Sequence, residues 1–279
     1  MNKTLILGTA LVDHLIYSPA ALDQFICQKA PTELCGGGSA RNVASNLALL
    51  ETPIDFLTVW GNDAFATLLK NELAALGVVT YGPTVDLPTP VFTSLSAGGQ
   101  HYTLSSISSG FYLGADFDFP YQNYDWIITD RSDASLLRKI IQLNPTIKIL
   151  TMGQLPATEF QPNLAGVVLN RCEFHLEKSH HDYAKVAKEY PKDCFFVVTL
   201  DEAGLFYSLD SQSEFLANKT YQVDGYPVGC GDAFVAGLYA KLSRDYSFDQ
   251  AISSALLLAE ALYQAPGNVI TKEMAKDFL

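Results

Sequence analysis

The sequence predicts an α/β fold built on a mostly parallel sheet, and three observations carry that expectation. Trp126–Thr129, Ile147–Leu150, Gly166–Leu169 and Phe195–Thr199 are short, nearly continuous apolar runs, the pattern of strands buried on both faces. Helical periodicity fills intervals between such runs, with Ser132–Leu143 and His180–Glu189 as candidate helices. Two glycine-rich turns, Gly36–Gly38 and Gly229–Gly231, run directly into helical patterns. No internal repeat, low-complexity run or linker rich in proline or glycine divides the chain, so residues 1–279 are expected to form one domain.

Composition removes several function classes. Hydrophobic residues make up 48% of the chain and charged residues 17%, enough apolar surface for a large core. The net charge of −12 argues against a nucleic-acid partner or an anionic membrane surface. Cys27, Cys35, Cys172, Cys194 and Cys230 are scattered and form no CxxC pair, which speaks against zinc and a disulfide framework and points to a reducing cytoplasm. His14, His101, His175, His180 and His181 fall at no familiar metal spacing. The apolar run Thr4–Val12 is too short for a membrane span and reads as a buried first strand.

In chain order, Leu5–Gly8 forms that strand, and Asp13 is expected just past its C-terminal end, where open α/β sheets bind ligands. A turn or cap aspartate is the alternative. Gly36–Gly38 then opens a helix carried by Val43, Ala44, Leu47, Ala48 and Leu50. Asn42 falls on its first or second turn and can donate and accept at once, as sugar hydroxyls require; a solvated asparagine is the bland account. Ile54–Val59 reads as a strand, and a helix starting at Gly61–Phe65 runs to Leu76 with Gly77 as its stop. Val91–Leu95 and His101–Ser105 flank Ala97–Gln100 as a β-hairpin, either a flap over a site or an edge extension of the sheet. Two later strand ends are polar. Asn170 and Glu173 follow one strand, with Glu173 a candidate to hold Mg²⁺ through water and Asn170 to approach nucleotide phosphates. Thr199–Gly204 makes a polar turn after another.

The most informative stretch is Val228-Gly229-Cys230-Gly231-Asp232-Ala233-Phe234. A helix starting here aims unpaired N–H groups and its positive dipole end at the loop, a cradle for an anion. A carboxylate at that mouth repels a phosphate unless it takes a proton from the group attacking it, so cradle plus base suggest phosphoryl transfer. An aspartate N-cap on an ordinary helix is the competing account.

Asp13, then GGxxxN (Gly37–Asn42), GxDxF (Gly61–Phe65), a hairpin, NxxE (Asn170–Glu173), TxxxxG (Thr199–Gly204) and GxGD (Gly229–Asp232) occur in an order that resembles the ribokinase-like carbohydrate kinases, the PfkB family, from Leu5 to about Asn268. The resemblance implies a three-layer α/β/α ribokinase-like fold, with a mostly parallel sheet and a small β lid from about 14–33 and 89–110. It implies Asp232 as catalytic base and Gly229, Cys230 and Gly231 as the anion hole. Asp13, Gly37, Gly38, Arg41 and Asn42 fall to the substrate, and Asn170, Glu173, Thr199, Asp201 and Gly204 to ATP and Mg²⁺, with Glu173 on the metal side. It also implies a cytoplasmic kinase acting on a hydroxymethyl alcohol of a sugar or nucleoside. Half-apolar lid strands suggest a homodimer through the lid.

Three positions depart from the family pattern. Tyr226 stands where an acidic residue usually precedes the catalytic aspartate by six positions, Cys230 replaces an alanine, and Asp201 replaces a glycine in the nucleotide turn. The region Leu256–Gly267 is also shorter than usual. Arg41-Asn42 followed by Val43–Ala48 is closer to pseudouridine kinases of the family than to ribokinases, although Arg41 also suits a surface charge. Few cations argue against a phosphorylated sugar, whose phosphate asks for Arg or Lys. The competing class is a non-catalytic sugar- or nucleoside-binding protein on the same fold. A Rossmann oxidoreductase lacks its GxGxxG after the first strand, and a serine hydrolase lacks GxSxG.

Overall fold

The computed structural model describes residues 3–18, 20–23, 27, 29–98, 100–130, 133–153, 155, 157–174, 180–218 and 225–279. The main sheet takes β1 (Thr4–Leu7), β4 (Ile54–Leu57), β5 (Val79–Tyr81), β8 (Trp126–Thr129), β9 (Lys148–Thr151), β10 (Leu164–Asn170), β11 (Phe195–Thr199), β12 (Leu205–Leu209) and β13 (Gln212–Leu216). Its order is β13-β12-β11-β10-β9-β8-β1-β4-β5, parallel from β5 through β11 and antiparallel across the last two pairings. A second sheet, β3-β2-β6-β7, takes β2 (Leu11–Ser18), β3 (Thr32–Gly37), β6 (Val91–Ala97) and β7 (Gln100–Ser105).

Alternate residues of the same strands feed two cores, one on each face of the main sheet. Ile6, Phe56, Ile128, Leu150 and Val197 pack with α1 (Ser39–Leu49), α2 (Ala64–Ala75), α6 (Cys230–Leu242) and α7 (Phe248–Tyr263). Leu5, Leu7, Ile127, Ile149, Phe196 and Val198 face the other way, onto α3 (Ala134–Leu143) and α5 (His180–Ala187). This two-sided burial is why the strands read as continuous apolar runs rather than alternating ones. The short helices α4 (Ala157–Phe160) and α8 (Lys272–Phe278) complete the described α-helices.

Several expectations are corrected. The predicted strand 4–12 is two strands in two different sheets, broken at Gly8-Thr9-Ala10, so Asp13 lies within β2 of the small sheet rather than past the end of β1. Gly36 and Gly37 close β3, leaving Gly38 alone as the N-cap of α1. Helix α3 begins at Ala134 behind an Asp133 cap; Arg131 and Ser132 lie outside the described residues. Parts of the segment 14–33 also lie outside them, as do His175, the side chains of His180 and His181, and that of Glu173. The hairpin 89–110 forms as β6 and β7, and β6 pairs in parallel with β2, with Phe92 opposite Asp13. In the main sheet the strand order reverses between β1 and β8, the switch point at which open α/β sheets bind ligands.

Candidate active site

A cavity of about 790 Å³ opens past the C-terminal ends of β10 and β11 and the turn after β1, lined at one end by Asp13, Ser39, Asn42 and Asp232 and at the other by Asn170, Thr199, Gly204 and Asn218. Two helix N-termini meet there. Gly38 has no side chain with which to cap α1, and Asp130, at the end of β8, does so instead. Its Oδ2 accepts from the N–H of Ala40 at 3.1 Å, and its carboxylate accepts from the N–H and the hydroxyl of Thr9. The N-terminus of α6 is treated differently. Gly229 is its N-cap in the left-handed region at φ 82°, and no side chain caps the helix. The first helical bond is made by the N–H of Ala233 to the Gly229 carbonyl, and the Cys230 N–H leans on Pro227 at 3.4 Å. The N–H groups of Gly231 and Asp232 therefore precede the helical ladder, with no backbone partner among the described residues, and both residues line the cavity.

Asp232 turns its carboxylate toward α1. Asn42 Nδ2 donates to its Oδ2 at 2.9 Å, and the Ser39 hydroxyl also bonds it. Burial pushes the Asp232 carboxyl up to about 7; the Asn42 and Ser39 bonds oppose the rise, and the charges of Asp13 and Asp130 add to it. Asn42 is buried, and its amide orientation is fixed from behind because Arg41 Nη1 donates to its Oδ1 at 3.3 Å.

Asp13 is 3% exposed, and its carboxyl is pushed up to about 6 by burial, against the Asn268 bond and the Arg41 charge. Gly37 packs so closely on this carboxylate that a Cβ would stand 2.2 Å from Asp13 Cγ. Gly37 thus backs Asp13 without lining the cavity. Arg41 is neither at the surface nor in the cavity. It is 5% exposed, donates to the Gly36 carbonyl at 2.9 Å and pairs with Glu72 at 2.5 Å, so its charge is spent inside the fold. Cys230 lines the cavity and donates its thiol to the Tyr226 carbonyl, its pKa pushed up to about 12 by burial. Tyr226, where an acid is usual, meets Tyr17 of β2 edge-on at 5.0 Å.

At the other end, Asn170, Thr199, Asp201 and Gly204 all line the cavity. Asp201 sits at φ 52° and pairs with Arg171 at 2.9 Å, joining the ends of β10 and β11. Asn218 donates to the carbonyls of Asp201 and Glu202, while its Oδ1 is buried with no partner among the described residues. The side chain of Glu173 is outside the described residues. Among those described, no group of three or more His, Cys, Asp or Glu is arranged to hold a metal, and no Lys or Arg lines the cavity.

The small sheet forms one wall. Asp13, Phe92, Ser94, Ser96 and His101 share its inner face by strand register, and Phe92, His101 and Ile107 line the cavity. Ser94 and Ser96 hold the two ring nitrogens of His101 at 3.3 and 3.0 Å. Sequence reasoning missed Ser39, Asp130 and Asn268. Only Ser39, beside the glycines, had a local signal; the other two reach the site across 90 or more residues.

Residues 148–273 match the model for pfkB family carbohydrate kinase. The chain is 26% identical over 293 residues to bifunctional protein HldE of Psychromonas ingrahamii, covering 91% of this chain and 58% of that protein, so it spans about three fifths of that relative's length. It is 23% identical to guanosine-inosine kinase of Exiguobacterium acetylicum, across 98% of both chains. Among solved structures, ribokinase from Cryptococcus neoformans in complex with ADP superposes with a TM-score of 0.79 at 18% identity, over the full length of both chains.

Proposed function

We propose that this chain, a ribokinase-like kinase of the pfkB carbohydrate kinase family, moves the γ-phosphoryl group of ATP to a hydroxymethyl group of a neutral sugar or nucleoside. The observation that carries the reading is Asp232: a carboxylate raised to about 7 stands beside the N–H groups that open α6, in the cavity that also holds Asp13. A primary alcohol is too weak an acid to ionise in neutral water, so Asp232 accepts its proton as the bond to phosphorus forms. A base with a pKa near the working pH suits that transfer. The Gly231 and Asp232 N–H groups offset charge developing on the transferring phosphoryl oxygens. Asp13 accepts from a ring hydroxyl, and Asn42, already fixed by Arg41, holds Asp232 toward the attacking alcohol.

Asn170, Thr199, Asp201, Gly204 and Asn218 supply the nucleotide end. The oxygen donors there, with no lining cation among the described residues, fit Mg²⁺, which keeps most of its waters and binds largely through substrate phosphates. Asn170 and Glu173 are the residues that would hold it, and when bound it neutralises phosphate charge. The small sheet acts as a lid over the acceptor. Its aromatic inner face and, among the described residues, the absence of lining Lys or Arg favour a nucleoside, pseudouridine- or ribose-nucleoside-like, over a phosphorylated sugar. The guanosine-inosine kinase relative supports the same preference. Leu34 and Leu104 lie on the lid's outer face and are exposed, which supports pairing with a second copy there.

The test is ADP release with Mg·ATP against ribose, fructose, sugar phosphates, guanosine, inosine and pseudouridine. Turnover is expected with nucleosides and falls when Phe92→Ala removes the wall. A blank panel with acceptors that still bind would favour a non-catalytic sugar- or nucleoside-binding protein.

A further inference from the structure

The segment after α7 lies beyond the GxGD motif, yet it touches both Asp13 and α1 at the acceptor end. Asn268 is 4% exposed, and its side-chain amide uses both N–H groups: one donates to Asp13 Oδ2 at 2.5 Å, the other to the Gly36 carbonyl at 2.7 Å. Its backbone carbonyl lies where a Cβ on Gly229 would stand, 2.1 Å from it. Two residues on, the Ile270 N–H donates to Asn46 Oδ1 of α1 at 2.9 Å, which pins the segment to the helix bearing Ser39 and Asn42.

We infer that Asn268 is a positioning residue that couples the acceptor-binding carboxylate to the anion-binding turn. Its amide holds Asp13 at the cavity wall, and its carbonyl packs on the left-handed Gly229 that starts α6. The inference rests on the reading of Asp13 as the acceptor's hydroxyl contact.

Chemistry favours an amide here. A buried carboxylate needs donors to stay charged, and this amide supplies one while its second N–H anchors it to the Gly36 carbonyl, without bringing a second charge. The other groups facing Asp13 do not take over that task. Arg41 on α1 attracts it, but that guanidinium is already bonded to Glu72 and Gly36. Cys35 and Glu33 on β3, Tyr17 on β2, Tyr226 before α6 and Asp232 on α6 are neutral groups or acids that gain nothing from an ionised Asp13. Asp13 keeps its charge at neutral pH against burial chiefly through Asn268, with Arg41 second.

The experiment follows the Asp13 carboxyl by ¹³C NMR titration in the full-length protein, wild type and Asn268→Ala, alongside steady-state kinetics for the acceptor. The wild-type carboxyl is expected to titrate near 6 and the variant a unit or more higher. In kinetics, KM for the acceptor is expected to rise roughly tenfold or more, while KM for ATP stays within a factor of about two, because the lost bond serves Asp13. If Asn268→Ala does not fold, Asn268→Asp keeps the volume and removes the donors, and the Asp13 titration should move in the same direction and further. A lowered melting temperature with an unmoved Asp13 titration would overturn the inference and leave Asn268 as packing alone. A wild-type protein inactive on every acceptor would count against the kinase reading instead, and the carboxyl titration would still judge Asn268.

Discussion

Replacing Asp232 by Asn should stabilise the protein while disabling it. The native carboxyl is raised from 3.8 to about 7, so between those values the folded protein holds a proton that the unfolded chain has released. Wild-type stability therefore falls as pH rises through that window, by up to about 4 kcal/mol for a shift of about three units. Water reaches the cavity, and Asn42 and Ser39 keep partners in the variant, so about half of that, about 2 kcal/mol, is the expected gain above pH 7. For a chain of this size that is a rise of about 4–8 °C in melting temperature. The assay is thermal unfolding of wild type and Asp232→Asn at pH 8 and at pH 4.5. The gain should be large at the first and mostly gone at the second, where the wild-type carboxyl is protonated in the native state. In the same variant kcat should fall by at least ~10²-fold with KM for the acceptor little changed. A stability offset equal at both pH values, or retained turnover, would refute the account of Asp232 as a desolvated base.

Wild-type kcat should rise with pH through about 7 as Asp232 ionises, while acceptor kcat/KM should also fall away below about 6 as Asp13 gains its proton; a flat profile from pH 5 to 8 would count against both carboxylates. Arg41→Met should cost about 1–3 kcal/mol of stability, and Glu72→Gln less, with the double variant well short of the sum because the pair is one unit; additive losses in a chemical-denaturation cycle would show otherwise. Gly229→Ala should lose about 2 kcal/mol or more, since its φ of 82° and the Asn268 carbonyl both exclude a Cβ. Gly231→Ala meets nothing within 4 Å, so it should melt with the wild type and lose kcat only, through a methyl placed in the anion cradle; calorimetry paired with initial rates separates the two.

Much of this was legible in the chain because it is local. Strands β8 to β11 announce themselves by two-sided apolar runs, α2 by the Asp63 cap that accepts from Ala66, and α6 by the glycines before Asp232. Asp13 was found as a residue but misplaced, because Gly8-Thr9-Ala10 interrupts an apolar run without changing its hydropathy, and only the pairing partners reveal two sheets. Arg41 was open to a surface reading because the partner that lets it be buried, Glu72, is 31 residues away on another helix. Asn268 is 255 residues from Asp13, and nothing in its own neighbourhood distinguishes it from a polar turn residue.

The two helix starts at the cavity explain how an acidic site can receive a polyanion, and where. Both α1 and α6 aim positive dipole ends at it, and a phosphate could in principle take either. At α1 that place is filled, since the Asp130 carboxylate bonds the Ala40 N–H and lies against Gly8, where it also repels any further anion. At α6 the carboxylate that could have capped its own helix, Asp232, is drawn across to Asn42 and Ser39 on α1. The capping of one helix by a distant aspartate, and the diversion of the other helix's aspartate to it, leave the Gly231 and Asp232 N–H groups as the open anion donors. The same diversion sets the Asp232 carboxylate, the base of the proposed reaction, on the α1 side of them. On the proposed kinase reading, one pair of carboxylates would thus select which helix receives phosphate and from which side the alcohol attacks.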